Sequence, residues 1–378
     1  MKKNITAPIQ GSSLPVSSSI GPFESDGSFH MIAQAKPVHD YMAASRKDIR
    51  VDPITNIGTV EKNGTTIILQ DVTLKNCTPK AKKLLLMGLD IFADQMPRRN
   101  EITAEAINKS RRIRITVTDY MGKCHLSDRK NAGDALRESV KSLFATSAEW
   151  TSTKDYYKQD GKRRRSKGVY HHKARFVDYI AIDESGDPIN GGAVEFDFSY
   201  TLAESLASLG YVMPVNPAVY LINPHDHPYS IQLAWKIFAL HNNNINNRNT
   251  ERLNWITVDT LLSAVDDLPR YEDIWKTGGI YNRIIEPFNQ DMKELVNVGI
   301  LDSFAYYTTD GKEVASYSSN GEEKKGLGDI SYEFFSSLII KYVLSAYPDQ
   351  TQRIEAKQKQ IAAAIKRRAA IADKKKNA

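Results

Sequence analysis

This sequence predicts an α+β chain: two tandem winged helix-turn-helix domains, a flexible N-terminal leader and a basic C-terminal helix. Two observations lead there. Twice along the chain the pattern reads helix, short strand, helix, longer helix, then extended runs around a turn, the element order of a winged helix. In the second copy the longest helix has a clean apolar face. Tyr281, Ile284, Ile285, Phe288, Met292, Leu295 and Val296 follow the three- and four-residue steps of one helical side. The expected divisions are a leader over 1–55, a first domain with a preceding hairpin over 56–200, a connector over 201–228, a second domain over 229–348 and a basic tail over 349–378.

Length and composition fit this plan. A chain of 378 residues with 41% hydrophobic residues has room for two cores. Lys and Arg number 51 against 45 Asp and Glu. The surplus is local: residues 351–378 hold nine basic side chains and two acidic ones, more than the whole net charge of +6. A basic tail on a near-neutral body suits a polyanionic partner. The two cysteines, Cys77 and Cys124, form no CxxC pair, which argues against a disulfide framework and fits a reducing cytosol. The Met1-Lys2-Lys3-Asn4 start runs into polar residues and prolines, unlike a secretory signal, and no apolar run reaches membrane-spanning length.

Residues up to about 50 are rich in Ser, Pro and Gly and read as a mobile leader. Order is expected from Ile57. Asn63-Gly64, set between two β-rich runs, is a strong hairpin signal. Thr78 and Pro79 open a helix as cap and first residue, with Leu84, Leu85, Leu89 and Phe92 on its buried side. Residues 113–117 read as a strand, Thr118 as the cap of a brief helix to Lys123, and Ser127 as the cap of a helix to Phe144. Ala132, Leu136, Val140, Leu143 and Phe144 give that last helix its core face. Extended runs over 148–157 and 169–182 flank 159–168, read as the wing, and 194–200 alternates into a further strand.

After a connector with Pro214, Pro217, Pro224 and Pro228 the pattern restarts. Ile231, Ala234, Trp235, Phe238 and Ala239 mark a core-facing helix, Trp255-Ile256 a strand stub, and Thr257 the cap of a helix with Val258, Leu261, Leu262 and Val265 inward. In the long helix, Pro287 requires either a helix start near Glu286 or a kink. Runs over 300–307 and 313–319 flank Asp310-Gly311, a second wing, and a short helix and a strand over 331–344 close the domain. From Gln352 the tail reads as helical, with Ile354, Ile361, Ile365 and Ala369 on a narrow stripe.

Opposite the apolar face of the long helix stand Asn282, Arg283, Asn289, Gln290, Lys293 and Asn297. Arg, Asn and Gln are the side chains that bond bidentately to purine edges in a major groove. Taken alone, an ordinary amphipathic surface helix reads the same way. In the first half Ser127, Arg129, Lys130, Arg137 and Lys141 are the corresponding candidates, Arg129, Arg137 and Lys141 forming one row with Gly133 in its gap. The first wing carries Lys162, Arg163, Arg164, Arg165 and Lys167, and the second carries Lys312. Such a basic cluster suits phosphate contacts, which position a protein without reading sequence; a solvated turn is the plainer alternative.

Enzymatic chemistry finds little footing. No GxxxxGK[ST] loop exists. His225-Asp226-His227 differs from a nickase His-hydrophobic-His strand in its middle residue and sits at a helix entrance, where Asp226 is expected as a cap. In Tyr170-His171-His172, strand geometry sends the two imidazoles to opposite faces. Glu195 and Asp197 share a face, yet no third acid joins them. Cys124-His125 lacks a second zinc-spaced cluster. No catalytic residue, metal or cofactor is assigned; a nickase or primase docked by winged helices, and a plain transcriptional repressor, are the alternatives.

The chain resembles the iteron-binding replication initiators of plasmids and phages, the Rep_3 type, over residues 76–345. The likeness is carried by Ile115-Thr116-Val117-Thr118-Asp119-Tyr120, then Ser127-Asp128-Arg129-Lys130-Asn131-Ala132 and a helix ending in Leu143-Phe144. In the second half it is carried by 230–240 and by 281–298, with Arg283, Ile285, Pro287, Lys293 and Glu294. The resemblance implies a cytoplasmic bacterial protein that binds direct repeats of double-stranded DNA at an origin with both winged helices. It further implies contact with a host replication helicase or its loader, and repression of its own gene as a homodimer. The first wing is more basic than the family leads one to expect.

Overall fold

The computed structural model describes residues 30–33, 35–44, 49–70, 78–96, 103–157, 163–183, 192–209, 212–247, 253–265, 268–319, 323–324, 327–328 and 330–345. It is a mixed α+β fold with four antiparallel sheets among the described residues. The basic tail, the leader before His30 and the turn that holds Lys162 lie outside the described residues.

Order starts earlier than the sequence suggested. β1 (His30–Ala33) and α1 (Lys36–Ala43) fall inside the expected mobile leader, yet Ile32, Val38, Tyr41 and Met42 are fully buried. Pro37 stands in the first turn of α1, where its missing N–H costs nothing. Two turns of helix and a four-residue strand are too short to leave a periodic signal among Ser, Pro and Gly. β2 (Arg50–Val51), β3 (Gly58–Lys62) and β4 (Thr65–Leu69) follow, with Asn63 and Gly64 at positive φ in the hairpin.

α2 (Pro79–Gln95) is the central helix of the first half, and Thr78 caps it by accepting the Ala81 N–H at 3.1 Å. α3 (Ala104–Ser110) leads into β5 (Arg112–Thr116). α4 (Val117–Cys124) is capped by Thr116, not Thr118, so the strand ends one residue sooner than expected. α5 (Arg129–Phe144) is capped by Asp128, not Ser127: its carboxylate accepts the Asn131 N–H at 3.0 Å and also binds the Asn131 amide.

β6 (Thr146–Tyr157) and β7 (Arg163–Arg175) form a long hairpin, then β8 (Val177–Asp183) and β9 (Ala193–Phe198) a second one. The two hairpins belong to different sheets. One sheet has the order β2-β3-β4-β6-β7 and the other β5-β9-β8. The extended run expected over 169–182 therefore breaks at Phe176, and the basic hairpin does not pair with β5. A strand pattern reveals its own faces but not its partner, and β5 chose β9. Where α2 crosses β9, a Cβ on Gly88 would stand 2.9 Å from the Phe196 ring, so glycine lets helix and sheet close.

The expected connector is folded as well. It holds α6 (Tyr200–Leu209), β10 (Val212–Val215) and a 3-10 turn, Pro217–Tyr220. β10 pairs with β1, bringing the N-terminal strand to the junction of the halves. α7 (Ser230–Asn247), β11 (Trp255–Thr257), α8 (Val258–Leu262) and α9 (Tyr271–Ile274) come next. A π-helical turn, Tyr281–Ile285, then runs into α10 (Glu286–Asn297). Pro287 explains that turn: it can donate no hydrogen bond, and the wider winding takes its ring past the preceding carbonyls. β12 (Leu301–Tyr307), β13 (Glu313–Ser318), β14 (Glu323–Lys324), α11 (Tyr332–Ser337) and β15 (Ile339–Leu344) complete the fold, with the sheet order β11-β15-β12-β13-β14.

One buried cluster runs through both halves. Three buried or half-buried donors stitch the junction. Lys83 Nζ bonds the carbonyls of Tyr220 and Ile222 at 2.9 and 2.7 Å, Gln232 Nε2 of α7 that of Ala44 at 3.4 Å, and Asn216 Nδ2 that of Gly299 at 2.9 Å. Burial lowers the Lys83 pKa, Cys124 opposes the shift, and the two carbonyls satisfy its ammonium donors. Among the described residues no helix is long and apolar enough to cross a membrane.

Candidate nucleic-acid interface

The π turn and α10 form one continuous rod with a buried side. Ile284, Ile285, Phe288, Met292, Leu295 and Val296 sink into the core against α7 and the strands. Gly278 and Gly279 bend the chain into this rod at φ +74° each, a left-handed backbone that a side chain would strain. Asn282, Arg283 and Gln290 are exposed on the opposite side. Arg283 Nη1 reaches Thr277 Oγ1 at 3.3 Å, a single neutral bond that holds the guanidinium without neutralising it.

The other predicted readers are spoken for. Asn289 is half-buried and its Oδ1 accepts the hydroxyl of the buried Tyr306 at 3.1 Å, toward the strands. Lys293 is half-buried, its ammonium 5.4 Å from the Tyr317 ring centroid. Asn297 continues the row by accepting the Tyr317 hydroxyl at 3.1 Å. The inserted residue of the π turn changes which positions share a face, so one polar stripe in the sequence becomes two in space. Lys312 is exposed in the turn between β12 and β13, where its N–H bonds Thr308 Oγ1.

In the first half, Ser127, Arg129 and Lys130 are exposed at the start of α5, and Arg129 Nη2 lies 3.3 Å from Thr118 Oγ1 on α4. The helix dipole adds positive potential at this end, partly offset by the Asp128 carboxylate that caps it. Further along, Arg137 pairs with Asp134 at 2.5 Å and folds over the buried Gly133, so it is less available than the expected row implied. Lys141 is exposed, with Glu138 beside it on the same strip. Arg163, Arg164, Arg165 and Lys167 lie on β7, where Arg163 pairs across to Tyr157 and Arg165 to Asp155.

Most of the residues weighed for chemistry have close partners within the fold. Glu195 and Asp197 of β9 stand directly opposite Arg114 and Arg112 of β5, and each carboxylate is ion-paired with its cross-strand arginine. His172 stacks on Trp150 at 4.9 Å while His171 is exposed. Asp226 does not cap α7; it bonds Asn223 and His225 in the turn before it. His227 instead lies between two carboxylates of α10, with Nδ1 3.2 Å from Asp291 and Nε2 3.6 Å from Glu294. Among the described residues no three His, Cys, Asp or Glu side chains gather as a metal site.

No family model and no curated protein matches the chain. Two solved structures of domains 2 and 3 of RctB, one of them a selenomethionine derivative, overlay on 80% of the chain. They are covered over 98% and 94% of their own lengths at 12% identity, with TM-scores of 0.38 and 0.35. Overlays at these TM-scores do not establish a shared fold.

Proposed function

We propose that this chain binds double-stranded DNA sequence-specifically at direct repeats of a replication origin, initiates replication of a plasmid or phage there, and represses its own gene. It does so without enzymatic activity, in the bacterial cytoplasm, with a host replication helicase or its loader and a second copy of itself as partners. The carrying observation is the exposed Asn282, Arg283 and Gln290 on a rod whose other side is locked in the core. A side chain that reads a base edge must be presented rigidly and remain unneutralised, and Arg283 meets both demands.

In this reading each half is a winged helix. The second half uses α7, β11, α8, the π turn with α10, and the β12–β13 hairpin. The first uses α4 and α5 over the β5-β9-β8 sheet, with β8–β9 as its wing. The basic β6–β7 hairpin is then an added arm that grips phosphates. The resemblance to iteron-binding initiators in residues 115–144 and 281–298 supports replication over simple repression.

The test is a nuclease footprint on the DNA upstream of the gene, followed by a replication assay. Protected repeats, together with maintenance of a plasmid bearing that DNA when the protein is supplied in trans, are expected. Protection without maintenance would reduce the function to repression.

A further inference from the structure

The five-stranded sheet of the second half has two faces, and the DNA-reading rod uses only one. Phe304, Tyr306, Ile340 and Tyr342 point to the helices and are buried. Alternation sends Ser303, Ala305 and Tyr307 of β12, Lys341 and Val343 of β15, and Trp255 of β11 to the other face. The register aligns them. Trp255 stands directly opposite Lys341, Lys341 opposite Ala305, and Ala305 opposite Ser316 of β13, one row across four strands. Tyr307 flanks the row, with the Lys341 ammonium 4.2 Å from its ring centroid.

This face is a groove of about 550 Å³. Its lining includes Trp255, Tyr307 and Lys341 over a floor of serines and one alanine, and none of its lining residues is acidic. Glu313 touches only the rim, accepting the Tyr307 hydroxyl at 3.2 Å. Trp255 and Tyr307 are half-buried on this surface, and the small residues between them leave room beside their rings. Such rings stack well on unpaired bases and poorly on a duplex, whose bases already stack on each other. Four strands span roughly 14 Å at ~4.8 Å each, room for about two or three nucleotides. Lys341, set between the two aromatic rings, stands where the phosphate between two stacked bases would pass.

We propose that this outer sheet face is a binding site for single-stranded nucleic acid, with Trp255 and Tyr307 as stacking platforms and Lys341 as the phosphate partner. It stands apart from the duplex reading, because it uses the opposite side of the sheet and would persist if the rod bound nothing. The experiment titrates the full chain by fluorescence anisotropy against a labelled 12-mer of dT, a 12-mer of rU and a duplex of equal length. Trp255→Ala and Tyr307→Ala are each expected to weaken single-strand binding about tenfold, and to leave duplex binding within twofold. Trp255→Phe should retain most of the affinity. Lys341→Ala, at an exposed position that cannot unfold the sheet, should weaken single strands and lower the salt dependence. The dT and rU arms decide between DNA and RNA as the occupant. Single-strand binding that is absent, or that none of these substitutions changes, would overturn the proposal, the latter by assigning it to basic residues elsewhere. Equal losses on single strand and duplex would overturn it as well.

Discussion

The Asp291 carboxylate on α10 accepts the backbone N–H of Tyr229, immediately before α7, at 2.6 Å. One helix thus caps the start of another, and the Ser230 hydroxyl adds a bond to the Asp291 carbonyl at 3.1 Å. This joint fixes the rod that carries Arg283 against the rest of the second half. Asp291→Ala leaves the half-buried Tyr229 N–H without its acceptor and should cost about 1–3 kcal/mol in urea unfolding. Asp291→Asn should cost less, since its amide oxygen still accepts. Equal, negligible losses would mean that the joint does not hold the rod.

Two buried groups give opposite pH dependences. Burial lowers the His241 pKa to about 4, though the Leu253 carbonyl at 3.1 Å pulls the other way, and the Tyr342 hydroxyl also faces the ring. The unfolded chain therefore takes up this proton first, near 6.5, and stability falls as pH drops from there toward 4. Burial raises Asp291 from 3.8 to about 6, opposed by the Tyr229 N–H, His227 and Ser230, with Glu294 across the His227 ring. The folded chain holds that proton first, so this contribution grows as pH falls through 6 and vanishes above it. His241→Gln should flatten the acid loss between pH 7 and 5, and Asp291→Asn should steepen it, read from denaturant midpoints at each pH.

Gly88 supplies a packing test. With Phe196 2.9 Å from a Cβ that is not there, Gly88→Ala must push the ring or the helix aside. Helix propensity alone favours alanine by ~1 kcal/mol. Net destabilisation by about 1–3 kcal/mol in a thermal or urea melt is expected because overpacking outweighs it. A stabilised variant would mean that α2 and β9 can separate at little cost.

Most helices were legible because apolar spacing and caps are local signals. Thr78, Pro79 and the Leu84–Phe92 face placed α2, and Ile231 to Phe238 placed α7. What stayed hidden was non-local. Nothing in β5 announces β9 as its partner, so the basic β6–β7 hairpin looked like a wing of that sheet. Asp226 has the residue type and position of a cap, yet Asp291, more than sixty residues later in sequence, does the capping. Asn289 and Lys293 share a sequence stripe with Arg283, but the π turn before Pro287 rotates them toward Tyr306 and Tyr317. Among the candidate site residues, Arg129, Lys130 and Gln290 are exposed, as their places on the polar faces of the helices led one to expect.

The basic arm predicts a sequence-independent effect. Changing Arg163, Arg164 and Arg165 to alanine together should weaken all duplexes alike. It should lower the slope of log affinity against log salt by about one unit per lost phosphate contact. Unequal losses on cognate and shuffled DNA would give the arm a reading role instead.

The most direct test of the central claim is a binding titration of the parent and of Arg283→Ala. It uses duplex from upstream of the gene against shuffled duplex at two salt concentrations. The parent should prefer its own DNA at both salts, and Arg283→Ala should lose about 1–3 kcal/mol on that DNA alone, relaxing the preference. A parent that binds both duplexes equally, with affinity collapsing at the higher salt, would contradict sequence reading by this rod.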